Sequence, residues 1–299
     1  MNRHSQPFGI TDLTLLALVF IWGANFSVVK HAVSELPPLA FNALRFSGAS
    51  LLALLLTWLV EKDLHIARKD WPLLILMAFV ANSVYQFLFI QGIARTRASN
   101  SSLILATPPI WVALFGTLTH SERLSRRNVL GVLLSFVGLC LLIGGSGSEL
   151  SLGVQTFAGD LLTLCAALIW ATHTIVVKRL TNHNSALKVT AWMLVFGTIP
   201  LVMVGLSDLK GLDWAQVSTE SWLGLAYSAV LAIAVGYVIW NTGVKRIGST
   251  RTAIYSYLQP LIGVGIAWVT LGETMQPLQA LGAAGILAGV ALARRQAGD

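Results

Sequence analysis

Two ionisable side chains, Arg45 and His173, lie well inside long apolar stretches of this chain, tyrosines and cysteines aside. Placing an arginine near a bilayer centre costs about 2.5–3.5 kcal/mol even on the lenient insertion scale, so Arg45 is not expected to face lipid. Its charge suits a substrate carboxylate; the competing expectation is a structural arginine bonded to helix-end carbonyls or snorkelling outward. His173 follows Trp170 by three residues. A histidine there can hydrogen-bond a substrate, carry a proton near neutral pH, or simply satisfy a helix contact.

Polar and aromatic residues recur at helical spacing nearby. Asn82, Tyr85, Gln86 and Phe89 follow an i, i+3, i+4, i+7 pattern. That spacing predicts one helix face, turned away from lipid because hydrocarbon does not favour amides. Tyr237, Trp240 and Asn241 form a second such stripe, and Trp22, Asn25, Trp170 and Tyr257 add candidate binding surface. The apolar windows hold no Asp or Glu. Proton-coupled carriers of cationic drugs generally need such a carboxylate, so a cation site and strong carboxylate-based proton coupling are not expected. Nor do the spans hold a nucleophile with a base or paired carboxylates, so no enzyme is expected. Cys140 and Cys165 lie in apolar runs and are expected to be small buried hydrophobes, not a disulfide or metal pair. No metal and no cofactor are expected.

The elements that must position these groups are membrane helices. Only 11% of the residues are charged and 55% are hydrophobic, with a mean hydropathy of +0.72. Soluble domains carry about 25% charged residues and could not bury this much apolar surface. A spanning helix needs about 20 mostly apolar residues. The uncharged windows are 13–29, 71–94, 98–119, 128–148, 161–177, 189–207, 221–244, 252–272 and 274–293, and 36–60 is interrupted by Arg45 alone. Ten spans are therefore expected, in an all-α polytopic membrane protein. The polar start, Met1 to Thr11, has no small-residue cleavage site, so no signal peptide is expected.

Fifteen of the 20 Lys and Arg fall in the loops on one side of such a bundle, and only Lys30, Arg95, Arg97 and Lys210 on the other. Cytoplasmic loops carry the excess of Lys and Arg, so both termini are expected in the cytoplasm. The net charge of +7 sets topology; no nucleic-acid partner is expected.

The chain is also duplicated. Phe20 to Lys30 and Leu168 to Lys178 share Ile, Trp, Val, Val and Lys at one fixed offset, with Asn25 opposite His173. Gly92, Arg95, Pro109, Glu122, Gly131 and Gly138 find counterparts in Gly243, Arg246, Pro260, Glu273, Gly282 and Gly289 at a second offset. Five spans per unit is an odd number, so residues 1–148 and 149–299 are expected to be inverted five-helix repeats. That architecture belongs to secondary transporters. Pro108 and Pro109, and Pro260, interrupt corresponding spans and are candidate hinges, since proline frees a helix carbonyl. The glycines of the fifth and tenth spans are expected to serve close helix packing.

Ten spans in two inverted halves resemble the EamA-type branch of the drug/metabolite transporter superfamily. So do Trp22-Gly23-Ala24-Asn25-Phe26 in the first span, Arg45 in the second, and the Glu122 and Glu273 loops that precede glycine-containing helices. Within that branch the chain looks most like YddG-type amino-acid exporters. The resemblance implies a bacterial inner-membrane carrier that moves aromatic and other neutral amino acids outward. The second half departs from the motif at Ala171 and His173. The expected function is export of amino acids and related metabolites by alternating access, facilitated or weakly proton-coupled. The alternative is a multidrug or other small-metabolite permease. Expected partners are the small-molecule substrate and the lipid bilayer, with the chain acting as a monomer.

Overall fold

The structure is a computed structural model and describes residues 9–93, 95–96, 98–121, 124–145, 154–262 and 276–294. Among the described residues the secondary structure is helical, with no strand. Among the described residues six helices are long and apolar enough to cross a membrane: Pro38–Glu61, Arg68–Gly92, Arg126–Gly144, Thr156–Thr181, Ala186–Gly211 and Thr219–Ile247. Three shorter apolar helices cover Ile10–Asn25, Leu103–Leu118 and Pro277–Ala293. The chain is thus a multi-pass membrane protein. Residues 263–272 of the window 252–272, and the Glu122 and Glu273 loops, lie outside the described residues.

The first half comprises α1 (Ile10–Ala32), α2 (Pro38–Glu61), α3 (Trp71–Ala78), α4 (Tyr85–Ile93), α5 (Ala98–Leu105), α6 (Pro108–Leu118) and α7 (Arg126–Gly144). The second comprises α8 (Val154–Thr181), α9 (Ala186–Gly211), α10 (Thr219–Tyr227), α11 (Gly236–Ile247), α12 (Ser249–Ala253) and α13 (Pro277–Arg294). Two of the long helices are not uniform. A π-helical turn, Phe79–Val84, joins α3 to α4, and another, Ser228–Val235, joins α10 to α11. Such bulges release backbone carbonyls from the regular ladder and re-aim side chains, and they gather at functional sites. Pro108 and Pro109 open α6 after a break at Ala106 and Thr107, because proline is tolerated at a helix start but not in its interior. A 3₁₀ segment, Ile254–Leu258, precedes Pro260.

The helices pack in reciprocal pairs: α1 on α11, α2 on α9, α4 on α8, and α7 on α13. The last pair is the tightest. A Cβ on Gly138 would stand 2.6 Å from the Gly282 carbonyl oxygen, and one on Gly131 2.6 Å from that of Gly289. Asn128 and Ser135 of α7 donate to the carbonyls of Ala293 and Ile286. Without a hydrophobic drive between helices in lipid, backbone approach through small residues supplies the contact.

One end of the bundle is tied by basic side chains. Lys178 donates to the Ser121 carbonyl, Lys245 to the Asn184 carbonyl and Arg246 to Thr11, while Lys188 pairs with Asp63 and Glu61. This is the basic end. At the opposite end Glu35 accepts from the Ser218 amide, and Asp160 accepts from Thr96 and Asn100. Hydrogen bonding to Ser218 holds the Glu35 carboxyl below its usual range.

Two expectations need correction. Cys140 is exposed and Cys165 half-buried, both as free thiols, because an apolar run in lipid can face outward as well as inward. Helical structure also runs past the uncharged windows: α1 takes in Asp12 and α8 takes in Asp160. Asp12 is buried and accepts hydrogen bonds from Tyr255 and the Gly9 amide.

Candidate functional site

Arg45 sits in α2, 6% exposed, and points inward, not toward an interface. Its Nη1 donates to Ser228 Oγ at 3.2 Å and its Nη2 to Gln86 Oε1 at 3.0 Å. The guanidinium carbon lies 5.2 Å and 5.5 Å from the ring centres of Phe41 and Phe46. One charge therefore gathers three elements: α2, α4 through Gln86, and the second π turn through Ser228. Tyr85 and Tyr237 are close enough to interact electrostatically with it, and the Tyr237 hydroxyl lies beside Gln86.

Beyond these two phenols lies an aromatic cluster centred on Trp170 of α8. Its ring meets Trp22, Tyr85, His173, Tyr237 and Trp240 at centroid distances of 5.7, 5.6, 5.0, 5.6 and 5.5 Å. Trp22 of α1 is fixed from the other side, its indole N–H donating to the Ala232 carbonyl at 2.8 Å. Ala232 belongs to the second π turn. Gly23, next to Trp22, lets α1 approach the Gln259–Ile262 segment. Phe89 stacks on Tyr85 at 5.8 Å.

Several buried polar atoms in and around this cluster have no partner: Asn25 Oδ1, Arg45 Nε, His173 Nδ1 and Asn241 Oδ1. Buried groups left unbonded cost free energy, so unbonded groups around a shared centre are places where a ligand gains by binding.

The predicted stripes do not stay whole. Tyr85 and Gln86 face the centre, but Asn82 donates to the Met193 carbonyl of α9 at 2.8 Å. Asn82 lies inside the first π turn, where the wider helix shifts the phase and turns it to a neighbour. Asn241 likewise donates to Thr190 of α9 at 2.8 Å, while Tyr237 faces the centre. Tyr257 is fully buried with its hydroxyl unbonded, near Cys140 of α7 and without a ring contact to the Trp170 cluster. Pro108, Pro109 and Pro260 stand at the helix irregularities described above, not against the cluster rings. Ser228, which bonds Arg45, was not among the expected residues; its place at the start of a π turn leaves no mark in a 3.6-residue periodicity.

Helices that are apolar outward and meet at a buried, partly unsatisfied polar and aromatic centre define a multi-pass membrane protein with a polar core between its helices. Its kind follows from comparison with known proteins. The EamA-like transporter family matches residues 9–144 and again 157–295, and the chain belongs to that family. A probable amino-acid metabolite efflux pump of Salmonella typhimurium is 31% identical, the match covering 92% of this chain and 91% of that protein. The uncharacterized transporter YyaM of Bacillus subtilis is 25% identical over 93% of this chain and 91% of that one. A solved crystal structure superposes with a TM-score of 0.81 at 18% identity, covering 96% of both chains, a likeness of fold alone. The protein is a membrane transporter.

Proposed function

We propose that this transporter exports amino acids and related metabolites across a bacterial inner membrane, with both termini in the cytoplasm. The observation that carries the reading is the juxtaposition of the buried Arg45 guanidinium with an aromatic cluster around Trp170. A carboxylate would exchange for Ser228 or Gln86 at Arg45, and an apolar or aromatic side chain would lie against Trp170, Tyr85 and Tyr237. The name of the Salmonella relative points the same way. Trp22, Asn25 and His173 lie close enough along α1 and α8 to reach the rest of a small substrate; Asn82, Asn241 and Tyr257 support the walls.

The mechanism we favour is alternating access between two inverted five-helix halves, ten spans in all. Three features support it. The family matches the chain twice, the helices pack in reciprocal pairs across the halves, and both halves carry a π turn at corresponding positions. The breaks at Pro108 and Pro109 and before Pro260 are then the hinges. A multidrug permease on the same scaffold is the closest rival. Counterflow in proteoliposomes with a panel of neutral amino acids and lipophilic cations, with and without a pH gradient, separates them. Amino acids are expected to exchange saturably without a strict need for the gradient. Exchange of lipophilic cations alone would overturn the reading.

A further inference from the structure

The charge at the centre of the bundle is unbalanced. Arg45 is held only by the neutral groups of Ser228 and Gln86, and its Nε has no partner. Among the described residues, no carboxylate forms an ion pair with it. The ion pairs there join Lys188 to Glu61 and Asp63, and His183 to Asp70, all at the basic end. Two further carboxylates inside helices are engaged elsewhere, Asp12 with Tyr255 and Asp160 with Thr96 and Asn100. What faces Arg45 across the cluster is phenol, indole and amide.

A ligand carrying one negative charge neutralises this site. A zwitterion does not: its carboxylate pairs with Arg45, and its ammonium is then left in a low-dielectric pocket with aromatic faces and amide oxygens but no acid. Removing an ammonium from water without a counter-charge is costly, and a cation–π contact restores only part of that cost. Resting on the reading of this cluster as the transport site, we infer that it is matched to monoanionic carboxylates with an apolar or aromatic body. The α-ammonium of an amino acid is tolerated and not recognised, so amino acids whose amine has been acylated or removed are substrates too.

The test is direct binding at pH 7 to the full-length protein in nanodiscs, by equilibrium dialysis of each labelled compound against protein-free nanodiscs. The compounds are phenylalanine, N-acetylphenylalanine, 3-phenylpropionate and phenylethylamine. The two compounds without a free amine are expected to bind at least as tightly as phenylalanine, and phenylethylamine about tenfold or more weakly, about 1.4 kcal/mol. If phenylalanine binds while N-acetylphenylalanine and 3-phenylpropionate do not, or if phenylethylamine equals phenylalanine, the inference falls and the exporter reading stands. If none of the four binds, the central-site reading falls and takes this inference with it. Arg45→Gln is expected to erase the preference for 3-phenylpropionate over phenylethylamine. Arg45→Lys, which keeps the charge without the planar fork, is expected to retain part of it.

Discussion

The indoles of Trp22 and Trp170 meet edge to face, 5.7 Å between ring centres with planes 71° apart. They are the same position in the two halves of a duplicated sequence. Helix α1 starts at the basic end, where Thr11 meets Arg246, and α8 ends there, where Lys178 meets Ser121. The two helices therefore run in opposite senses past the tryptophan contact. Asn25 and His173, each three residues further on, are carried about 4.5 Å toward opposite ends at a rise of 1.5 Å per residue. The matched positions thus place an amide to one side of the tryptophan contact and an imidazole to the other.

Because Trp170 touches five of the rings around it, its loss should be felt in binding before anything else. Aromatic pairs contribute about 0.5–1.5 kcal/mol each beyond buried area. Trp170→Ala is expected to weaken amino-acid binding by at least about tenfold, which corresponds to about 1.4 kcal/mol. Trp170→Phe, which keeps an apolar ring, should lose less. Counterflow half-saturation measured on both variants checks the order; equal and unchanged values would remove Trp170 from the site.

The α7–α13 contact offers a sharper structural test. Any Cβ at Gly138 meets backbone atoms of α13 at 2.6 Å, whereas one at Gly144 meets nothing within 4 Å. Backbone cannot swing aside as a side chain can, so Gly138→Ala should cost about 1–3 kcal/mol, as overpacking does. Gly144→Ala should be close to neutral. Thermal unfolding in detergent, followed by the loss of the monodisperse peak on gel filtration, is expected to shift down for Gly138→Ala alone.

The parts of this structure that could be read from the chain are those set by local chemistry. The apolar windows marked the long helices, and the glycines of the fifth and tenth spans marked close helix packing, though not that α7 and α13 are each other's partners. An arginine in an apolar window is not expected to face lipid, but the sequence left open whether it binds inside or snorkels outward. The identity of its partners was not legible, since Ser228 lies 183 residues away and is brought to Arg45 by packing alone. Helical periodicity assumes one phase per helix, and the π turns at Phe79–Val84 and Ser228–Val235 break it. That is why Asn82 was grouped with Tyr85 and Gln86 but bonds to α9. Asp12 lies outside the uncharged window 13–29, yet a buried carboxylate with hydrogen-bond partners can be part of a helix.

Stability should respond to acid through the ion pair that ties the α2–α3 connection to α9. Lys188 Nζ donates to Asp63 Oδ2 at 2.5 Å, and chiefly for that reason the Asp63 carboxyl is held below its ordinary value of 3.8. A carboxyl depressed in the folded state stabilises fully above its unfolded value and loses that contribution as pH falls through the folded one. Wild type is therefore expected to melt higher than Asp63→Asn at neutral pH, and the two melting curves should converge as pH falls well below 3.8. A gap that persists unchanged at low pH would mean that the asparagine acts through something other than the ion pair.

Under the alternating access proposed above, contacts that join the two halves at the basic end have to break. Asp12 at the start of α1 accepts from Tyr255 in the Ile254–Leu258 segment, and Thr11 accepts from Arg246 of α11. Both contacts tie the first helix to the second half, and neither reaches the Trp170 cluster. Tyr255→Phe removes the hydrogen bond to Asp12 and leaves the ring, a loss of about 1 kcal/mol that shifts an open–closed equilibrium about fivefold. Ser249 is fully buried at this end, beside the last turn of α11, and reports on opening. With Cys140 and Cys165 replaced by serine, a Ser249→Cys thiol should react with a membrane-impermeant maleimide about fivefold faster in the Tyr255→Phe background. The reagent has to be supplied from the basic end, and binding of a neutral amino acid in nanodiscs should stay near wild type. An unchanged labelling rate would take the Asp12–Tyr255 contact out of the set that keeps this end shut.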